Sequence, residues 1–156
     1  MKVLFLSLIC LVAFTAAVVA QSDLKLKIGA KIPYQYLPTE DETAPYIATH
    51  PSQFRPFIKK TIAGVTYTVA YDEESRKIRY IHTIDRTFRT KSGLSVGSKI
   101  VVTQKQVYSF GGWYTFAGKT SDGWQIISAE DETSLGEWKQ GETKTITIGG
   151  FSKGGN

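Results

Sequence analysis

The amino-acid sequence predicts a mostly β protein with a single antiparallel sheet and at most one short helix, with α+β as the alternative. Two hairpin patterns carry this prediction. In each pattern, two runs rich in β-branched and aromatic residues flank a polar turn. The first pattern spans residues 65–84 and the second spans residues 110–127. Large residues occupy most inward positions of the first pattern, so we expect these hairpins to lie centrally in the sheet.

The first 20 residues have the pattern of a secretory signal peptide. Lys2 is followed by an apolar run from Val3 to Val19, and the small residues Val18 and Ala20 precede a cleavage site at Gln21. An uncleaved membrane anchor is the alternative, because the run is about as long as a short membrane span. We expect a secreted, extracellular chain with no transmembrane segment after cleavage.

Composition excludes several function classes. Cleavage would remove Cys10, the only cysteine, so the mature chain would have no disulfide framework, no thiol catalysis and no zinc–thiolate site. The formal net charge of +5 favours acidic surfaces only modestly, and nucleic acid is an improbable target for a secreted chain. The acidic clusters at 72–74 and 130–132 lack the pattern of a calcium loop. No metal or other cofactor is expected.

The segment before the first hairpin has two parts. Leu24 to Ile28 alternates apolar residues with lysine, which predicts an edge strand. All five prolines lie between Pro33 and Pro56 and are interspersed with aromatic residues. Because proline removes backbone donors, we predict an extended segment without sheet pairing of its own. A recognition segment for a partner is the functional alternative.

The first hairpin and the loop after it come next. Val65, Tyr67, Val69 and Tyr71 share one face of a strand, and a polar turn at residues 72–76 leads into the returning strand. The loop from Thr87 to Ser98 is expected to turn sharply and to place Leu94 and Val96 inward. For residues 99–107 the sequence leaves helix and strand open: Ser98 suits a helix cap, whereas the run Ile100–Thr103 favours a strand.

The second hairpin pairs residues 110–116 with 124–127 around a turn at Gly118–Gly123, and the Asp122-Gly123 pair suits that turn. A polar connection over residues 130–141 and a strand over residues 144–148 follow. The predicted organisation is therefore a signal peptide at 1–20, an N-terminal strand and Pro/aromatic segment at 21–56, a β-rich domain at 57–149 and a flexible tail at 150–156.

The motif order within residues 62–128 resembles that of a group of small secreted or lipoprotein domains, mostly bacterial. The matching residues are Tyr80-Ile81-His82-Thr83-Ile84-Asp85, Phe88-Arg89-Thr90, Gly93-Leu94, Val96-Gly97 and Gly123-Trp124. The resemblance implies a compact, mostly β or α+β secreted module. It brings no assigned catalytic residues. The group often has a helix after the Val-Gly pair, and this sequence has none in clear form.

Two sets of side chains are candidates for ligand binding. Trp113, Tyr114 and Trp124 belong to the second hairpin, where alternate aromatic residues form a stacking surface for sugars or a contact site for a protein. Arg86 and Arg89 lie in the densest basic region and suit a carboxylate, sulfate or phosphate. The alternatives are core packing for the aromatic residues and a solvated face for the arginines.

These features favour a secreted, non-catalytic binding or interaction module that uses an aromatic hairpin face beside a basic loop. Its expected partner is a polysaccharide, an anionic surface or an extracellular protein. One alternative is an enzyme inhibitor or effector that inserts the loop Ser92–Ser98 into a target, which requires an exposed Leu94. Another is a hydrolase that uses His82 and Asp85 as an acid–base pair; a strand histidine beside a turn-capping aspartate is the structural alternative.

Overall fold

The computed structural model describes residues 24–50, 53–110, 114–130, 136 and 138–155. Strands account for 49% and helices for 5%, and no helix reaches seven residues within the described part of the chain. The mostly β prediction with one antiparallel sheet is confirmed. The strands are β1 Tyr46–His50, β2 Gln53–Ile62, β3 Val65–Tyr71, β4 Ile78–Thr83, β5 Lys99–Thr103, β6 Val107–Phe110, β7 Tyr114–Lys119, β8 Gln125–Ser128 and β9 Thr143–Gly154; two 3-10 helices span Tyr34–Tyr36 and Gln104–Gln106.

The sheet consists of two meanders joined by β9. Its strand order is β1-β2-β3-β4-β9-β8-β7-β6, and β5 pairs with β9 beside this path. Residues 143–147 of β9 pair with β5, residues 148–152 pair with β8, and residues 151–154 pair with β4. A single strand therefore holds both halves of the protein together.

Both predicted hairpins are present. β3 and β4 pair through the turn at Asp72, whose carboxylate accepts hydrogen bonds from the Ser75 amide at 2.9 Å and hydroxyl at 2.6 Å. β7 and β8 pair through a turn in which the Trp124 amide donates to the Thr120 hydroxyl at 2.9 Å. The segment predicted as one strand at 110–116 divides instead, because the chain reverses between β6 and β7.

The main hydrophobic core lies on one face of the sheet, and Phe88 from the following loop packs into it. The Phe88 ring lies 4.8 Å from the Trp124 ring and 5.0 Å from the Phe151 ring, measured between centroids. The N-terminal segment covers this face with Leu24 and Ile32, both buried. Each such apolar side chain contributes roughly 1.5–3 kcal/mol when fully buried.

The other face of the sheet is concave. Thr49 on β1 and Tyr108 on β6 line one cavity, although their strands lie at opposite ends of the strand order. The sheet therefore curls until its two ends approach each other over this face. Ala70, Tyr80 and Ile127, which point into the curl, are buried as a result.

The N-terminal predictions need correction. Leu24–Ile28 is not a strand: the Lys27 amide donates to the Lys25 carbonyl and the chain turns at Gly29, although Leu24 and Leu26 do face inward. Residues 46–50 and 53–56 do belong to the sheet, because β1 pairs antiparallel with β2. The Phe57 amide donates towards β1, to the Pro45 carbonyl at 2.9 Å. The nitrogen of the preceding residue, Pro56, therefore faces the opposite edge of β2, where β3 lies. Pro56 comes just before the first residue pair between β2 and β3, so no hydrogen bond of that ladder needs its missing N–H.

The ambiguity at residues 99–107 resolves into a strand, a single 3-10 turn and a second strand. Gln106 accepts a hydrogen bond from the Thr103 amide at 2.8 Å and closes a capping box around that turn. The flexible tail predicted at 150–156 is wrong through residue 154, because β9 continues to Gly154 and Phe151 is fully buried. The predicted signal peptide lies outside the described residues. None of the described helical segments is long and apolar enough to cross a membrane.

Candidate functional site

A row of polar side chains crosses the concave face. Strand pairing places Thr68 opposite His82, His82 opposite Ser152, and Ser152 opposite Gln125. Residues directly opposite each other in an antiparallel sheet share a face and lie close together. These four residues, on β3, β4, β9 and β8, are named the polar row. Its centre is buried, since Ser152 has 0% exposure.

The polar row ends at a cavity of about 60 Å³, here named the curl pocket. Six strands or strand ends contribute to it. Its walls are the side chains of Thr49, Tyr80, Tyr108, Phe116 and Gln125, together with Gly154 and Gly155. The Tyr108 and Phe116 rings stack with centroids 5.0 Å apart and an interplanar angle of 23°. No Asp, Glu, His, Lys or Arg lines the pocket, so its surface is aromatic and neutral.

Hydrogen bonds connect the buried row to the mouth of the pocket. The Ser152 hydroxyl donates to Gln125 Oε1 at 3.4 Å, and Gln125 Nε2 donates to the Tyr108 hydroxyl oxygen at 2.8 Å. Burial raises the pKa of Tyr108, and the hydrogen bond from Gln125 only partly offsets this. The phenol therefore stays protonated at neutral pH. Its oxygen accepts from Gln125, which leaves its proton available to donate.

His82 is a partly buried, neutral histidine. Burial lowers its pKa from 6.5 to about 4, because the imidazolium cannot be hydrated inside the curl. Space for the ring comes from the opposite strand: a Cβ built on Gly150 would lie 3.2 Å from His82 Nε2. His82 packs beside Tyr80, with ring centroids 6.1 Å apart. His82 therefore contacts a residue of the curl pocket but does not itself line the cavity.

Asp85 has a structural role of its own. Its carboxylate accepts hydrogen bonds from the Thr66 amide at 2.8 Å, the Thr87 amide at 2.9 Å and the Thr87 hydroxyl at 2.7 Å. The Thr66 amide, followed by the Thr87 amide and hydroxyl, lowers the pKa of Asp85. The carboxylate thus joins the loop after β4 to the start of β3. This geometry matches the turn-capping alternative and not an acid–base partner for His82.

The predicted aromatic ligand face does not include Trp124. That ring is 9% exposed and packs in the core against Phe88 and, with centroids 6.4 Å apart, against Tyr67. Lys153 Nζ lies 4.5 Å from its centroid. Trp113 and the side chain of Tyr114 lie outside the described residues, although the backbone of Tyr114 begins β7.

Arg86 and Arg89 are both exposed in the loop after β4. One guanidinium nitrogen of Arg89 donates to the carbonyls of Arg86 at 2.5 Å and Phe88 at 2.8 Å, so it stabilises the turn that carries it. This basic loop is also tied to the second hairpin, because the Lys91 amide donates to Asp122 at 3.2 Å. Neither arginine lines the curl pocket.

The inserting-loop alternative needs an exposed apolar tip, and the structure does not provide one at Leu94. Leu94 and Val96 are both half-buried and pack against the main core.

Glu130, from the second acidic cluster, accepts hydrogen bonds from the Thr147 amide at 3.0 Å and the Ser128 hydroxyl at 2.8 Å. Burial raises the pKa of Glu130, but these hydrogen bonds outweigh it and the net shift is downward.

Sequence reasoning missed every residue of the curl pocket. The period-two pattern of β4 does place Tyr80 and His82 on one face, but pairing with β9 brings Gln125 to that face and only the curl brings Thr49 and Tyr108 close to it. Within the described residues, no group of three or more His, Cys, Asp or Glu side chains converges to hold a metal ion.

No family model, curated protein or solved structure matches this chain. The resemblance to small secreted or lipoprotein domains therefore stays a prediction, and the functional argument depends on the geometry of the curl pocket.

Proposed function

We propose that this chain is a secreted, non-catalytic binding module whose ligand site is the curl pocket. The observation that carries the proposal is the chain of hydrogen bonds from Ser152 through Gln125 to Tyr108, which ends at an aromatic cavity of about 60 Å³. A few fixed neutral polar groups in a concave, mostly aromatic site are typical of specific ligand recognition.

The charge of the site favours a neutral ligand. The curl pocket is lined by hydroxyl, amide, aromatic and backbone groups, and Arg86 and Arg89 lie elsewhere. An uncharged polar ligand such as a polysaccharide therefore suits it better than an anionic surface. Two further observations support a non-catalytic role: His82 does not line the pocket, and the Asp85 carboxylate accepts hydrogen bonds from Thr66 and Thr87.

The test is a co-sedimentation panel with the chain beginning at Gln21, using insoluble neutral polysaccharides and anionic vesicles at low and high salt. We expect binding to a polysaccharide that survives high salt, because attraction between exposed charges is screened and contacts of neutral groups are not. Tyr108→Ala should abolish that binding. Tyr34→Ala, at a tyrosine that is 74% exposed and outside the pocket, is the matched control and should bind as wild type does.

The opposite outcomes are equally clear. Binding that disappears in high salt and is unchanged in Tyr108→Ala would indicate that the ligand binds at Arg86 and Arg89 and not in the curl pocket. Absence of binding to every surface would remove the polysaccharide and anionic-surface versions of the proposal, and an extracellular protein would take their place.

A further inference from the structure

We infer that the curl pocket recognises a neutral N-acetyl group, carried by an acetylated amino sugar or by an acetylated amine of a peptide. This inference deepens the proposed function and depends on it. It follows from three properties of the pocket, namely its size, the chemistry of its walls and the direction of its free hydrogen bond.

Size limits what enters. A cavity of about 60 Å³ has room for roughly two water molecules at their liquid volume, about 30 Å³ each. A whole sugar ring or an aromatic side chain does not fit, whereas a methyl group with an attached carbonyl does. The recognised unit is therefore a small substituent, and the rest of the ligand stays outside the mouth of the pocket.

The walls combine apolar and hydrogen-bonding surface in the arrangement that an acetyl group needs. The buried rings of Tyr80 and Phe116 supply contact surface for a methyl group. Tyr108 as a residue is 45% exposed, so we infer that the chain carrying the substituent enters beside it. Gly154 and Gly155 keep the opposite wall at backbone level: a Cβ on Gly155 would lie 2.8 Å from the Thr49 carbonyl oxygen and 3.2 Å from the Tyr80 ring.

The hydrogen-bond pattern selects an acceptor. Gln125 uses one of its two amide hydrogens on Tyr108, and its amide oxygen accepts from Ser152, so its nitrogen, like the Tyr108 hydroxyl, keeps a hydrogen to donate. The Tyr108 oxygen accepts from Gln125, so its own proton is not used in that bond. A carbonyl oxygen completes the arrangement. A protonated amine does not, because it would bring a charge into a pocket without any carboxylate.

The experiment is an NMR titration of ¹⁵N-labelled chain with matched ligand pairs. One pair is an N-acetylglucosamine oligomer and its deacetylated form; the other is a short peptide with acetyllysine and the same peptide with lysine. We expect the acetylated member of at least one pair to shift the amide signals of Phe116, Gln125 and Gly154 and to bind at least about tenfold more tightly than its partner. Whichever pair responds identifies the source of the acetyl group.

Two further comparisons test size and direction. An N-propionyl analogue should bind several-fold more weakly than the N-acetyl ligand, since an extra methylene overfills the cavity. Tyr108→Phe keeps the ring and removes the donor, and should weaken binding roughly 2- to 10-fold. Tyr34→Phe makes the same chemical change outside the pocket and should leave the affinity unchanged.

The outcomes separate this inference from the proposed function. If acetylated and deacetylated ligands bind equally, with shifts at the curl pocket, the acetyl inference is wrong and the binding module stands. If a panel polysaccharide binds without shifting any pocket signal, the pocket is not the site and both fail. If no member of either pair binds while an unacetylated polysaccharide shifts the pocket signals, the acetyl inference alone is overturned.

Discussion

The partly buried imidazole of His82 makes the stability of this protein sensitive to mild acid. Its pKa falls from 6.5 to about 4 on folding, so the unfolded chain binds the proton more tightly than the folded chain. The contribution of the neutral ring to the free energy of unfolding is therefore fully present above about pH 6.5 and is lost as the pH falls towards 4. One pKa unit corresponds to about 1.4 kcal/mol, so the full loss is about 3 kcal/mol, of which about 2 kcal/mol is reached at pH 5.

Urea unfolding at pH 7.5 and pH 5.0, in wild type and in His82→Gln, measures this effect. We expect the free energy of unfolding of wild type to fall between the two pH values by about 2 kcal/mol more than that of the variant. The carboxylates with lowered pKa, such as Asp85, are present in both proteins and cancel in the difference. His50→Gln removes an exposed histidine on β1 and should keep the wild-type loss.

An equal loss in wild type and in His82→Gln would show that the imidazole is not held neutral by burial. So would an NMR titration in which the His82 ring changes charge near pH 6.5. Either result would contradict the interpretation of the polar row as a buried, desolvated part of the concave face.

Three further substitutions test the packing of the core, the close approach of β9 to residue 129 and the hydrogen bonds of Asp85. Phe151→Ala removes a fully buried ring and should cost about 3–5 kcal/mol in urea unfolding, whereas Phe54→Ala, at a ring that is 56% exposed, should change stability by no more than about 0.5 kcal/mol. Gly149→Ala would place a Cβ 2.9 Å from the Ala129 Cα and should destabilise by roughly 1–3 kcal/mol; no destabilisation would mean that β8 and β9 lie further apart. Asp85→Ala deletes the acceptor of three hydrogen bonds and should lower the thermal midpoint, and an unchanged midpoint would show that the loop after β4 does not need them.

The elements that could be predicted from the sequence are those with local signals. Val65, Tyr67, Val69 and Tyr71 alternate without interruption, and Asp72 begins a polar turn, so the first hairpin is determined within about 20 residues of sequence. The second hairpin is similar. In both cases the pairing partner is the next strand in the chain, which is the arrangement that periodicity identifies best.

The errors have non-local causes. From the sequence alone, Pro56 argues against a strand, because proline lacks an N–H donor. In the structure, however, that missing donor faces the edge of β2 towards β3, at a residue before the pairing with β3 begins. The Gly/Lys composition after Gly149 suggests a tail, but Phe151 fills a core position created by β4 and β8. The curl pocket is the extreme case, because Thr49 and Gly155 come from distant parts of the chain.

The position of β9 has a consequence for how the protein is made. Residues 143–154 follow both meanders in the chain, yet they supply the shared central partner of β4, β5 and β8. Until these residues emerge during synthesis, each meander carries an unpaired strand edge that is prone to association with other chains. The native sheet is therefore completed only after residues 143–154 have been synthesised. Efficient production would depend on keeping the partial chain apart from its copies, and a nascent chain stalled before residue 143 would require a holding chaperone.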